Sequence, residues 1–262
     1  FQDLSFNLNM KGKKGGQYTI FGLGGLSKNI FTHKTDSTEI KLNKDRFDID
    51  FLSKTGIAGT SGKWTTGPGA WVKFALVYSV QTNDWEKNLA PNNPFRTDNR
   101  VEERIAGSLE WHKAYQRNQF SAGLQASRLY FSAKIQEAVF LDPPGPLATP
   151  YENNFAYINL QPWLRWDWST RDGRWNTQLG AQFHYAQYQK IAPAPRAMVS
   201  YRVAQNHRIS LSAGLYKQDA PLWLQYVKRL PDHSRERIAY MSSFQTGLRY
   251  TYTPAPFWKI TG

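Results

Sequence analysis

The sequence predicts an all-β chain, an antiparallel transmembrane β-barrel of about twelve strands. Three observations point there. The first is alternation with a period of two. Ile158-Asn159-Leu160-Gln161-Pro162-Trp163-Leu164-Arg165-Trp166-Asp167-Trp168 runs into the turn Thr170-Arg171-Asp172-Gly173-Arg174, and Asn176-Thr177-Gln178-Leu179-Gly180-Ala181-Gln182-Phe183-His184-Tyr185 climbs back out. One face of each strand is apolar and ends in aromatics, while the other is Asn, Gln, Arg, Asp, Gly and His. A soluble sandwich alternates too, so alternation alone does not decide. The second observation is that tight polar turns take turns with long loops, at Thr32 to Asp45, Gln81 to Asn99, Glu137 to Asn154 and Gln218 to Met241, with only Lys190 to Ala194 short. Compact soluble domains rarely do this, whereas outer-membrane barrels pair short periplasmic turns with long extracellular loops. The third is that aromatics gather at the turn ends, where a membrane-interface girdle sits.

The elements follow in order. Leu4, Phe6, Leu8 and Met10 alternate with Ser5, Asn7 and Asn9, and the turn Lys11 to Gly16 leads to a return strand from Gln17 to about Lys28. A Gly-rich strand near Gly56 to Trp64, the turn Thr66-Gly67-Pro68-Gly69 and a strand from Trp71 to about Ser79 form the next hairpin. Arg104 to His112 and Phe120 to Phe131 are joined by Tyr115-Gln116-Arg117-Asn118; the Trp-rich pair quoted above comes next. Arg196 to Arg202 and Arg208 to Tyr216 are joined by Val203 to His207, and Phe244 to Tyr252 leads through Thr253-Pro254-Ala255-Pro256 to a strand starting at Phe257. Strands such as Arg104 to His112 then descend toward the periplasm, and strands such as Phe120 to Phe131 ascend. Pro162 falls mid-strand, where its missing N–H calls for a local bulge.

Bulk composition agrees. The chain of 262 residues carries ten Trp, fourteen Tyr and fifteen Phe at a mean hydropathy of -0.60. No run approaches the roughly 18 apolar residues of a spanning helix, but a barrel strand escapes that test because half of it faces a polar lumen. There is no Cys, hence no disulfide framework and no thiolate metal site. The chain opens at Phe1 without Met or signal peptide and closes on Phe257-Trp258-Lys259-Ile260-Thr261-Gly262, so both ends read as cut from a longer mature protein. The net charge of +13 is spread over turns, loops and alternate strand positions, not gathered in an aromatic-interleaved stripe, which argues against nucleic-acid binding. Lumen lining and contact with anionic outer-leaflet lipid account for it.

Tests for chemistry return no catalytic signature, metal site or cofactor. Gly56-Ile57-Ala58-Gly59-Thr60-Ser61-Gly62-Lys63-Trp64 resembles a phosphate loop only superficially, because Ile57 stands where its first Gly belongs and Trp64 where Ser or Thr would hold magnesium. His33, His112, His184, His207 and His233 show no zinc spacing. Glu102-Glu103 and Asp48/Asp50 lack the ligand loop that calcium needs.

The stretch Pro195-Arg196-Ala197-Met198-Val199-Ser200-Tyr201-Arg202, a short turn, Arg208-Ile209-Ser210-Leu211-Ser212-Ala213-Gly214-Leu215-Tyr216 and then Ala220-Pro221-Leu222 resembles the C-terminal half of TonB-dependent outer-membrane receptors, particularly those of Bacteroidota. Gln17 to Ser27 and Lys54 to Gly59 are similar to mid-barrel segments of the same family, and Thr251 to Gly262 resembles a following hairpin. The resemblance implies a 22-stranded barrel around an N-terminal plug, with residues 1–262 a barrel portion and the plug, with its TonB-engaging box, outside this chain. An even count near twelve is also compatible with a small complete barrel. Function then reads as active import of a nutrient (siderophore, glycan or peptide) in the bacterial outer membrane. The implied partners are outer-membrane lipid, TonB through the plug, and a surface lipoprotein lid. Two other classes stay open: a non-transporting adhesion or structural barrel, and a soluble carbohydrate-binding scaffold.

Alternation assigns Arg104, Ser108, Glu110, Gln125, Gln161, Arg165, Gln178, Gln182, Gln245 and Arg249 to the lumen and plug. Trp64, Trp71, Trp111, Trp166, Trp168, Tyr201, Tyr250, Tyr252 and Trp258 form the expected girdle. Trp85, Tyr151, Trp223 and Tyr226 in the loops, with His184, Arg196 and Tyr216 at upper strand ends, form the expected substrate surface, since aromatics stack on a ligand while polar tips fix its orientation.

Overall fold

The computed structural model describes residues 2–12, 15–36, 38–90, 93–138, 146–187, 191–219, 240–255 and 258–261. Twelve strands form one antiparallel sheet, each bonded to its neighbour in sequence. They are β1 Gln2–Lys11, β2 Gln17–Phe31, β3 Asp48–Gly67, β4 Ala70–Ala90, β5 Asn93–Tyr115, β6 Asn118–Ala138, β7 Leu147–Ser169, β8 Trp175–Ala186, β9 Ala192–Ala204, β10 His207–Gln218, β11 Met241–Ala255 and β12 Trp258–Thr261. A short 3-10 turn, Asn43–Arg46, precedes β3. Among the described residues β1 and β12 are the free edges, and no ladder joins them.

The turns at Thr66 to Gly69, Tyr115 to Asn118, Thr170 to Arg174 and Val203 to His207 sit where the sequence puts them, whereas Thr253, Pro254 and Ala255 continue β11 instead of turning. Between strands, Gly15, Gly69 and Gly173 take positive φ, as does Gln116 at 51°. Asp172 Oδ1 accepts from the Thr170 hydroxyl at 2.5 Å and from the Arg174 amide at 3.0 Å, which closes the β7–β8 turn.

Register carries one set of side chains across the whole sheet. Met10 faces Tyr18, Tyr18 faces Gly62, Gly62 faces Phe74, Phe74 faces Leu109 and Leu109 faces Leu124. This face is apolar and uncovered: Leu76 is 51% exposed, Leu211 61% and Leu248 75%. A globular chain would bury such a face, because apolar area in contact with water costs about 25 cal/mol per Å². The buried hydrophobic cluster is small by comparison, Phe131, Ala133 and Phe155, and it lies on the opposite face.

Two expectations change. The segments Gln81 to Asn99 and Glu137 to Asn154 are largely strand, so β4, β5, β6 and β7 reach 21, 23, 21 and 23 residues while β8 and β10 have 12 each. Trp85 and Tyr151 accordingly lie in strands, not loops. The face that is apolar lower down turns polar in these upper extensions, with Asp84 opposite Asn99 and Lys134 opposite Glu152, while Ala133, Ile135, Tyr151 and Phe155 lie on the other face, so the alternation loses its phase there while the ladder continues. Pro162 needs no bulge: it pairs in register with Leu124 on β6, and although the β7–β8 pairing skips Gln161 and Pro162, Leu160↔Tyr185 and Trp163↔Gln182 on either side keep the same register.

Candidate functional site

The polar face carries the concavities. All ten residues assigned to the lumen fall on it by register. Arg104, Ser108, Gln125 and Gln161 line a concavity of about 260 Å³ across β4 to β7. Gln125, Arg165, Gln178 and Gln182 line a neighbouring one of about 540 Å³ that reaches β10 and includes Arg196 and Tyr216. Glu110, Gln245 and Arg249 share the face outside these two hollows.

Two sets of polar contacts line the larger hollow. Asp167 anchors its lower side, accepting from Arg165 Nε at 2.9 Å and from Gln178 Nε2 at 2.5 Å. Gln182 Nε2 donates to Gln161 Oε1 at 2.9 Å and its own Oε1 accepts from Arg196 Nη2 at 3.3 Å. The Arg196 guanidinium lies 4.4 Å from the centre of the Tyr216 ring. Gly214, opposite Arg196, makes that stack possible, since a Cβ there would sit 3.0 Å from the Arg196 stem and 3.2 Å from the Tyr216 ring. Cation and ring are thus presented together, with amides beside them, an arrangement suited to a ligand with polar or anionic groups and a flat face.

The other substrate candidates are not gathered here. Trp85, in β4, has the Arg96 guanidinium 5.6 Å from its ring, and Arg96 reaches Glu137 at 3.9 Å. Tyr151 packs on the Phe131 and Phe155 cluster. His184 is buried at 5% exposure with the Tyr240 ring edge-on at 5.9 Å. Asp219, one residue beyond β10, accepts from the Asn159 amide, and burial pushes its carboxyl above the usual carboxylate range. Trp223 and Tyr226 lie outside the described residues.

Of the expected girdle, Trp64, Trp111, Trp166, Trp168, Tyr201, Tyr250 and Tyr252 lie on the apolar face at the turn ends, by the register of their pairs. Trp258 stands at the start of β12, opposite Ala255. Trp71 departs from the set. The pair Trp64↔Val72 puts Val72 on the apolar face and Trp71 on the polar one, where its ring stacks on His112 at 3.6 Å and the Lys63 ammonium approaches to 4.3 Å. His112 Nδ1 is 2.8 Å from Ser121 Oγ, and its other nitrogen is 3.5 Å from Glu110. Sequence reasoning missed this ledge because it grouped aromatics by their nearness to the turn, although the alternation of Val72, Phe74, Leu76 and Tyr78 already puts Trp71 with Lys73 on the other face.

By sequence, the chain matches no protein-family model and no curated protein. By structure it is similar to several transporters. The ferric preacinetobactin receptor BauA from Acinetobacter baumannii superposes with a TM-score of 0.63 at 10% identity, over 96% of this chain and 44% of the receptor. The ferric citrate transporter FecA gives 0.63 at 11%, over 95% and 40%, and the copper transporter OprC 0.63 at 10%, over 97% and 51%. The fold is that of TonB-dependent receptor barrels. This receptor-barrel sheet spans between 40% and 51% of the length of those chains.

Proposed function

We propose that the chain is the barrel wall of an outer-membrane active transport receptor, which imports a nutrient with energy delivered through TonB. The observation that carries this reading is the pairing of an uncovered apolar face with a hollowed polar face on one receptor-barrel sheet. Lipid offers no hydrogen bonds, so a spanning sheet must satisfy its backbone in its own ladder and turn its apolar side outward. The interior is then free to hold a plug supplied by chain outside residues 1–262, and the two free edges are completed by further strands. The Arg196–Tyr216 stack and the Gln161–Gln182 pair form the wall's substrate-facing surface. The cargo is a siderophore, glycan or peptide, captured at the extracellular side, with a surface lipoprotein as the lid.

The test is uptake. Cells expressing the full-length protein should place it in the outer membrane and accumulate one labelled member of a siderophore, glycan and peptide panel. Accumulation should stop when tonB is deleted and weaken with Arg196→Ala. Uptake that persists without TonB, or recovery of the protein in buffer without detergent, overturns the reading.

A further inference from the structure

The apolar face carries a gap beneath a cationic rim. Leu4, Gly24, Gly56 and Val80 stand side by side in one row across β1 to β4, and Leu26, Lys54 and Thr82 form the row above. The paired glycines leave a hollow of about 550 Å³ between the flanking apolar side chains, with Lys54 and Thr82 at its upper edge. Two other glycines of this face are roofed by rings: Phe6 lies over Gly22, and Phe74 and Tyr18 lie over Gly62. Among the described residues no ring covers Gly24 or Gly56. A Cβ on Gly24 would come no nearer than 3.8 Å to the Thr55 carbonyl oxygen, and one on Gly56 would meet Val80 Cγ1 at 3.4 Å. Both are ordinary contacts, so packing within the sheet does not demand glycine here. Glycine inside a strand gives up side-chain packing and marks a place where something else approaches the backbone. Lys28 on β2 and Lys54 on β3 are diagonal neighbours on the same face, and both are exposed. Among the described residues neither has a carboxylate within salt-bridge distance; Asp84, on that face one row above Lys54, does not reach it.

We propose that this hollow binds one phosphate-bearing lipid of the outer leaflet, with an acyl chain lying over Gly24 and Gly56 and the phosphate between Lys28 and Lys54. The inference rests on the receptor-barrel reading above and adds a defined site to general lipid contact. In that reading the apolar face meets hydrocarbon, so lipid is the material at hand to fill a gap in it. A floor of two bare backbones lets a chain approach closely and gain dispersion contacts on three sides. Val80 is the last apolar position of β4 on this face before Thr82 and Asp84, so the hollow ends where headgroups begin. Lysine stems reach from the hydrocarbon edge to that level, and their ammonium groups donate charge-assisted hydrogen bonds to a phosphate. An apolar protein segment in the same hollow would leave both lysines without a counter-charge, which is why the rim selects an anionic lipid.

The experiment uses the full-length protein in phosphatidylcholine vesicles doped with a photoreactive lipid, either phosphatidic acid or phosphatidylcholine, each with a diazirine in the same acyl chain. Cross-linked peptides are identified by mass. Labelling around Leu211 and Leu248, exposed on the same face of β10 and β11, is the reference for unselective lipid contact. At Gly24 and Gly56 the phosphatidic acid probe should label about tenfold more than the phosphatidylcholine probe, the factor equivalent to one charge-assisted hydrogen bond. At the reference the two probes should label alike. Lys28→Gln with Lys54→Gln should remove the preference, and Gly56→Leu, which fills the hollow, should remove the excess labelling itself. The ratio of the two probes in the unaltered protein decides the matter where a variant does not insert. The same ratio at both places, or a preference that survives both lysine substitutions, overturns the site and leaves annular lipid only. Loss of the preference in inorganic phosphate, not reproduced by chloride at equal ionic strength, overturns it in favour of a free-anion site. Absence from the outer-membrane fraction of expressing cells and loss of heat-modifiable gel migration would instead count against the barrel reading itself.

Discussion

Leu76→Arg separates a lipid-facing sheet from a water-facing one. Leu76 is the middle of five outward positions on β4, Val72, Phe74, Leu76, Tyr78 and Val80, before Thr82 and Asp84 turn that face polar. These positions span about 26 Å along the strand at roughly 3.3 Å per residue, which matches a lipid-facing band about 25 Å tall before tilt is applied. In the proposed barrel Leu76 would therefore lie near the bilayer centre. It is 51% exposed, so in a soluble sheet the substitution would fall within about 0.5 kcal/mol of neutral. In a membrane barrel a midplane Arg costs about 2–4 kcal/mol. Urea unfolding of the protein in lipid vesicles, with free energies taken at a common slope, reads the difference. Ser108→Arg, on the polar face and beside the 260 Å³ hollow, is the control and should stay within about 1 kcal/mol. A Leu76→Arg cost below that of Ser108→Arg would refute the orientation of the whole sheet.

Further perturbations follow the same geometry. Gly123→Ala places a Cβ 2.7 Å from the Trp163 ring and 2.8 Å from the Leu109 carbonyl oxygen; it should destabilise by about 1–3 kcal/mol, whereas Gly67→Ala, with nothing within 4 Å, should be neutral or stabilising by up to about 1 kcal/mol. Thermal unfolding of the pair decides it, and equal shifts would count against the β5–β6 packing. Trp111→Phe should lower the quenching of tryptophan emission by brominated lipid, and Trp71→Phe should leave it unchanged, because the two rings lie on opposite faces. The Asp172 carboxyl is held below the usual carboxylate range, chiefly by the Thr170 hydroxyl and then by the Arg174 amide. Its folded pKa is the lower one, so its stabilisation is present above the ordinary carboxylate pKa and is lost as pH falls through the folded value. The gap in unfolding midpoint between the native protein and Asp172→Asn should therefore close on acidification across that acidic window.

The sheet was legible wherever one face is apolar and the other polar, because only there does the chemistry alternate strictly. That is why twelve strands, their turns and the ten inward polar residues can be read from residue order. The tall extensions of β4 to β7 were not legible: Asp84, Glu86, Asn99 and Lys134 put polar groups on the face that is apolar lower down, so the alternation loses its phase and these segments look like loops. Trp71 was misplaced because an aromatic beside a turn was read as girdle, although it alternates with Val72 and shares its face with Lys73. The opposition of Arg202 on β9 and Arg208 on β10 was hidden for another reason: both are visible as polar positions, but they face each other only once the β9–β10 register is known, and that register itself shifts at His207 and Arg208.

The strictly consecutive strand order has a consequence for how such walls change over evolutionary time. No strand depends on a distant segment for its ladder, so a hairpin can be duplicated or deleted at the border without rewiring what remains. Barrel diameter grows roughly in step with strand number. Pore calibre is therefore a property that this architecture can adjust in two-strand increments, independently of the side chains that select the cargo.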